Sequence, residues 1–203
     1  MMISVASGKG GTGKTLVTTN LAASVGGVVL VDCDVEEPNS YLFFPRREDE
    51  TCTDCDVMIP VIDDEKCKRC GRCSEFCAYN ALAVFPKQVL LFKELCHGCG
   101  GCALVCPEGA ISEGTRAIGK ICRARSGDVG LLWGELSVGE PMATPLIRSV
   151  KAEAKGDLVL IDSPPGTACP VIEAVRGSDF CLLVTEPTDR KSTRLNSSHG
   201  KLS

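Results

Sequence analysis

The chain has 203 residues, 44% of them hydrophobic, with a formal net charge of −4 and 14 cysteines. That length carries one to two domains with a real core, and the acidic balance argues against nucleic-acid binding, which needs a basic face. No apolar run approaches the ~18 residues of a membrane span, and no signal peptide precedes the first apolar stretch. The expectation is a cytoplasmic protein whose many thiols serve as metal ligands rather than disulfides.

Met2 to Ala6 is a short apolar run that reads as a buried strand. It leads through Ser7-Gly8-Lys9-Gly10-Gly11-Thr12-Gly13-Lys14-Thr15 into Leu16 to Val25, which reads as a helix. Gly8, Gly13, Lys14 and Thr15 satisfy the P-loop pattern G-x-x-x-x-G-K-[ST]. The glycines let backbone N–H groups turn inward with no Cβ in the way, making an anion-binding nest at a helix N-terminus. Lys14 would reach the β- and γ-phosphates, and the Thr15 hydroxyl would be a ligand of Mg²⁺. A Gly-rich surface turn is the plain alternative, and the strand in front of it speaks against it.

Lys9 adds a second lysine to the loop. K-G-G-T-G-K-T resembles the deviant Walker A motif of the MinD/ParA/Mrp branch of P-loop ATPases, which includes the nitrogenase iron protein. The resemblance implies ATP rather than GTP, and an ATP-dependent homodimer in which Lys9 reaches across to the partner's nucleotide. It makes Gly8, Lys9, Gly10, Gly11, Thr12, Gly13, Lys14 and Thr15 the nucleotide-binding residues, with Lys9 and Lys14 also catalytic.

Gly27 to Val31 is a second apolar run without alternation, as expected of a strand covered on both faces. It ends in Asp32-Cys33-Asp34, carboxylates where ligands bind in open α/β sheets. V-D-x-D resembles the first switch segment of the same family, which implies that Asp34 positions or deprotonates the attacking water and that Asp32 helps hold Mg²⁺. A solvated loop is the alternative. Cys33 reads as a small buried side chain. From Tyr41 to about Val57 periodicity is lost and charges accumulate, which reads as a linker. Its Cys52-Thr-Asp-Cys55 could bind half a zinc site, close a redox disulfide, or stand as surface thiols with no cofactor.

A tandem repeat follows. Cys67-Lys-Arg-Cys70-Gly-Arg-Cys73-Ser-Glu-Phe-Cys77 recurs 29 residues later as Cys96-His-Gly-Cys99-Gly-Gly-Cys102-Ala-Leu-Val-Cys106-Pro107. Both are C-x₂-C-x₂-C-x₃-C, the bacterial ferredoxin run, in which three thiolates come from one tight loop and the fourth is lent by the other repeat. Cys67, Cys70, Cys73 and Cys106 are assigned to one [4Fe-4S] cluster, and Cys96, Cys99, Cys102 and Cys77 to a second. Zinc is the competing metal, and the interleaved 3+1 spacing favours iron–sulfur. His97 would shield or hydrogen-bond a cluster without ligating it.

Ala117 to Gly130 is punctuated by Gly and Arg, and Leu131 to Val138 returns to the sheet. Met142 to Ala154 has apolar residues at helical spacing, and Asp157 to Asp162 is another buried strand ending in a carboxylate. Asp162-Ser-Pro-Pro-Gly166 resembles the family's D-x-P-P-G second switch. That implies a Walker B-type role on Mg²⁺ for Asp162, and a Gly166 amide that contacts the γ-phosphate. Cys122, Cys169 and Cys181 read as structural, the last within a strand Phe180 to Thr185.

The resemblance stops at Thr188. Residues 189–203 are polar and unperiodic and resemble translated non-native sequence, so the expectation is an incomplete copy, poorly soluble and with background ATPase activity as it stands. The expected architecture is a parallel α/β P-loop ATPase at 1–57 and 117–188, with an inserted α+β bacterial-type ferredoxin domain at 58–116. The expected function couples ATP binding and hydrolysis to electron transfer through two [4Fe-4S] clusters toward a redox or iron–sulfur partner protein. An ATP-dependent scaffold for cluster assembly, or a ferredoxin with a regulatory nucleotide site, are the alternatives.

Overall fold

The computed structural model describes residues 1–186; the expectation for the tail at 189–203 lies outside them. The chain divides into two compact units, one of Met1–Thr53, Gly119–Ser137 and Met142 onward, the other of Asp54–Ile118 and Val138–Pro141. Val138–Pro141 groups with the second unit.

The first unit opens with β1 (Met2–Ala6), α1 (Lys14–Val25) and β2 (Val29–Asp32), followed by a 3₁₀ turn at Ser40–Phe43. Two long strands, β3 (Glu48–Ile62) and β6 (Ile111–Ser126), each carry residues of both units. Between them lie α2 (Arg72–Phe76), β4 (Leu82–Val84), β5 (Val89–Leu91) and α3 (Gly101–Leu104). The first unit resumes with β7 (Val129–Leu136), α4 (Ala143–Glu153), β8 (Val159–Asp162), α5 (Cys169–Val175) and β9 (Phe180–Leu183).

The main sheet runs β3-β6-β7-β2-β8-β1-β9. Its β7-β2-β8-β1-β9 portion is parallel, and β6 pairs with β7 antiparallel. Central strands covered on both faces are apolar throughout, and β8 (V-L-I-D) is buried at every position. Helix α4 lays Leu146, Ile147 and Val150 into the core, all three without exposed surface. The Lys151 ammonium caps α5, donating to the carbonyls of Glu173, Ala174 and Arg176 at 2.8, 2.7 and 2.6 Å. Beside it Arg148 makes a two-pronged pair with Glu173.

Two stretches depart from the sequence reading. The supposed linker 41–57 folds as the 3₁₀ turn and β3. Tyr41 stacks on the buried Trp133 with ring centroids 4.6 Å apart, and the Arg47 guanidinium lies over the Tyr41 ring. β3 is an edge strand whose first seven residues are exposed, so it has no apolar period to read, and its charges protect the edge. Likewise 117–126 is strand, with Lys120, Arg123 and Arg125 exposed and Ile121, Cys122 and Ala124 buried. Cys52 is joined to Cys122 by a disulfide, so Cys52-x-x-Cys55 does not act as a pair; Cys55 is a buried free thiol. Cys33 is buried, whereas Cys169 and Cys181 are exposed rather than packed, Cys181 because β9 is an edge strand among the described residues.

The second unit repeats its own backbone. Left-handed residues occur at Arg69, Gly71 and Asn80, and again 29 positions later at Gly98, Gly100 and Gly109. The Asp63 amide donates to the Ala110 carbonyl and the Phe92 amide to the Ala81 carbonyl, both at 2.8 Å. Asp63 and Phe92 are equivalent in the two repeats, as are Ala110 and Ala81, so each half bonds the other reciprocally. Three branched aliphatic residues of this unit, Ile59, Leu82 and Ile118, are buried. That is a small apolar core for a unit of this size.

Leu146→Ala is expected to cost about 2–5 kcal/mol by leaving a cavity under the sheet, while Leu16→Ala, at an exposed helix position, stays within about 0.5 kcal/mol. Urea midpoints at unchanged m-value measure the difference.

Candidate nucleotide site and two cysteine-lined cavities

The Gly-rich turn lies between the end of β1 and the start of α1. Gly11 and Gly13 hold φ of 74° and 89°, and Gly13 caps α1 without any side-chain hydrogen bond to the helix. The first-turn amides of α1 therefore have no side-chain acceptor, which suits an anion. Open space stands where a Cβ would project from Gly8, Gly11 or Gly13. The Ser7 hydroxyl donates to the Lys9 carbonyl at 2.7 Å, and the Gly166 amide donates to the Ser7 carbonyl at 3.2 Å. The loop after β8 is thereby tied to the loop after β1. Lys9 and Gly10 are exposed on the rim.

Below the turn lie the carboxylates. Asp32 and Asp162 are register partners at the ends of β2 and β8, and neither is more than 1% exposed. Lys14 is 7% exposed and acts electrostatically on both Asp162 and Asp34. Burial pushes the Asp162 carboxyl up to about 7, raised further by Asp32 and opposed by hydrogen bonding from the Thr15 and Thr18 hydroxyls and by the Lys14 charge. Burial likewise raises Asp34 to about 6, with Asp32 adding to it and Lys14 opposing.

Asp32 is bound by the loop that follows it. One oxygen accepts from the Asp34 amide and the other from the amides of Asn39 and Ser40, all at 2.9 Å. It anchors the loop that carries Asp34, and these donors are largely what a buried carboxylate requires. Thr18 was missed by sequence reasoning: its hydroxyl lies 2.8 Å from the Lys14 carbonyl and 3.2 Å from Asp162 Oδ1. A hydroxyl on the face of α1 turned to the sheet, where periodicity asks for an apolar residue, was the available signal. Thr12 Oγ1 and Ser163 Oγ are buried with no hydrogen-bond partner among the described residues.

The eight run cysteines gather into two sets. Cys67, Cys70, Cys73 and Cys106 line one cavity, together with Lys68, Arg69, Arg72 and Glu108. Cys77, Cys96, Cys99 and Cys102 line another, with Tyr79 and His97. Those two rings are stacked, centroids 3.5 Å apart. The Ala110 amide donates to Cys106 Sγ at 3.3 Å and the Ala81 amide to Cys77 Sγ at 3.4 Å. Among the described residues no three His, Cys, Asp or Glu side chains close on one point as they would about a single ion.

A nucleotide-binding α/β protein of the P-loop class is what the first unit's arrangement describes. The sequence pattern of the CobQ/CobB/MinD/ParA nucleotide binding domain matches residues 3–168. An uncharacterized protein of Methanocaldococcus jannaschii is 38% identical over 196 residues, 93% of this chain and 68% of that protein. The chain belongs to this nucleotide-binding family. A second uncharacterized protein of the same organism is 27% identical over 194 residues, 93% of this chain and 70% of its own length. Solved structures similar to it include the septum site-determining protein MinD of Pyrococcus horikoshii complexed with Mg-ADP (18% identity, TM-score 0.48) and the cell division ATPase MinD of Pyrococcus furiosus (20%, 0.48). The alignments cover 97% of this chain but 63% and 64% of those chains. No helix among the described residues is long and apolar enough to cross a membrane.

In protein free of metal and nucleotide, Asp162 keeps its proton up to about pH 7 when folded, against an ordinary value of 3.8 when unfolded. Between those values the folded state holds the extra proton, so this group costs stability as pH rises. Asp162→Asn has no proton to lose. Wild type is expected to lose on the order of 2 kcal/mol relative to Asp162→Asn between pH 5 and pH 8, read from urea midpoints. A pH-independent difference would contradict the assignment.

Proposed function

We propose that the chain binds Mg·ATP as a homodimer at its P-loop and couples hydrolysis to electron transfer through two [4Fe-4S] clusters, toward a redox partner protein. The single observation that carries the iron–sulfur half is the sorting of eight cysteines, three from one run and one from the other, around two separate cavities.

The nucleotide half rests on groups that have no partner inside the protein. Thr12 Oγ1 and Ser163 Oγ are buried donors without acceptors, beside a turn whose glycines face open space. Phosphate oxygens supply what they lack. Lys14 carries the charge of the β- and γ-phosphates, and Lys9, exposed on the rim, serves the nucleotide of the second subunit. Thr15 and Asp162 are hard oxygen donors that suit Mg²⁺, with Asp32 fixing the loop behind them. Bound there, Mg²⁺ supplies charge neutralisation on the phosphates. Asp34, shifted to about 6, is mostly ionised at neutral pH and in the range of a general base toward water. The Gly166 amide is engaged with Ser7; meeting a γ-phosphate means leaving that bond, which makes the loop a two-position switch.

The cysteine sets fit [4Fe-4S] clusters on three grounds. The donors are soft thiolates in the ferredoxin spacing, backbone N–H groups already point at Cys77 and Cys106, and the second unit has too few buried aliphatics to hold itself together alone. Clusters supply one-electron chemistry and cross-link the two repeats.

Anaerobically purified protein is expected to carry about eight iron and eight sulfide per chain; stoichiometric zinc without iron would overturn the assignment. Clusters that pass quantitatively to an apo-ferredoxin would favour the scaffold reading over electron transfer. Lys14→Ala is expected to abolish ATP binding in calorimetry while leaving the iron content unchanged. Lys9→Ala is expected to bind ATP normally and hydrolyse it at least tenfold more slowly, since its contact is made to the transition state. Normal turnover would remove Lys9 from that role.

A further inference from the structure

We infer that Arg69 donates from its buried Nε–H to a sulfur of the group held by Cys67, Cys70, Cys73 and Cys106, and so makes that cavity the resting place of an added electron. The inference rests on the iron–sulfur reading proposed above.

The backbone is the first ground. Arg69 sits between Cys67 and Cys70 with φ of 54°, a left-handed conformation that side chains other than glycine seldom adopt. Its counterpart in the second repeat, between Cys96 and Cys99, is Gly98, with φ of 65°. A Cβ on Gly98 would lie 2.9 Å from the Met58 carbonyl oxygen, so glycine is required there on steric grounds as well. At position 69 the same backbone turn is made with a long cationic side chain in place of the residue that would adopt it without strain.

The second ground is the guanidinium itself. Arg69 lines the cavity of its four cysteines, and its Nε is buried with no hydrogen-bond partner among the described residues. A buried cationic N–H without an acceptor is costly, and the anionic sulfur atoms of a thiolate-bound cluster are the acceptors that this cavity would supply.

The third ground is the unequal charge of the two cavities. The ionisable neighbours of the first, apart from its cysteines, are Lys68, Arg69, Arg72 and Glu108, with Lys68 paired to Glu108 at 2.9 Å, which leaves two unpaired cations among the described residues. The ionisable neighbours of the second, apart from its cysteines, are Tyr79, His97 and Glu113. One electron taken from an external one-electron donor, which is itself oxidised by one electron, adds one negative charge with no bond made or broken. A nearby fixed cation favours that charge, so the two sites differ in potential and the first is reduced first.

Reductive titration with dithionite, followed by electron paramagnetic resonance on protein of known iron and sulfide content, tests this. Wild type is expected to reduce in two separated one-electron steps. Arg69→Gly removes the side chain where the backbone favours glycine, so folding is spared, and Arg69→Gln keeps an N–H donor without the charge. Both are expected to lower the reduced-to-oxidised ratio of the first step about tenfold at fixed potential, equivalent to 59 mV for one electron, and to leave the second step in place. Iron–sulfur protein whose two steps stay put or move together in both variants overturns the inference alone. Wild-type protein that assembles no iron and sulfide overturns the iron–sulfur reading, and this inference with it.

Discussion

Asp32 and Asp162 end neighbouring strands in register, both out of reach of water, and two carboxylates so placed repel each other in a medium that solvates neither. The first unit is arranged to answer that problem. The loop after β2 folds back so that three amides reach Asp32, which converts a charge into the anchor of the segment carrying Asp34. Asp162 receives two hydroxyls from α1 and the nearby charge of Lys14, and still keeps a proton to about pH 7. A divalent cation would complete that balance. The Gly-rich turn is held from two sides, by the strand that feeds it and by the Gly166 amide that donates to the Ser7 carbonyl.

The second unit answers a different shortage. With few buried aliphatics, its order comes from backbone geometry that recurs every 29 residues, and from cysteines that face shared cavities. The same left-handed corners appear in both repeats, filled by glycine at Gly71, Gly98, Gly100 and Gly109 and by Arg69 and Asn80 elsewhere. A repeat in which corners coincide and side chains do not has kept its geometry and varied its chemistry.

Strands β1, β2 and β8 were legible as apolar runs, since strands covered on both faces carry no polar alternation to confuse them. Edge strand β3 was not legible, because exposure on both sides erases the pattern that marks a strand, and β6 was obscured by the exposed Lys120, Arg123 and Arg125 interleaved with its buried residues. In the site, Lys14, Thr15, Asp34 and Asp162 stand out from motif spacing alone, and they lie together. The work of Asp32 was hidden because its donors come from Asn39 and Ser40, seven and eight positions along, where the sequence shows only a polar loop. The pairing of Cys52 with Cys122, 70 residues apart, depended on a strand pairing that no local signal announced.

The reciprocal bonds in the second unit bear on how such a unit could arise. Asp63 of the first repeat bonds Ala110 of the second, and Phe92 of the second bonds Ala81 of the first. Each cavity likewise takes its last cysteine from the opposite repeat, Cys106 for one and Cys77 for the other. A chain with one repeat alone could not finish either cavity, but two copies of that chain could finish both. The arrangement is that of a symmetric dimer with exchanged ends, whose two copies a tandem duplication would place in one polypeptide. The two repeats differ at the Arg69–Gly98 pair of positions, where one left-handed corner carries a side chain and the other does not.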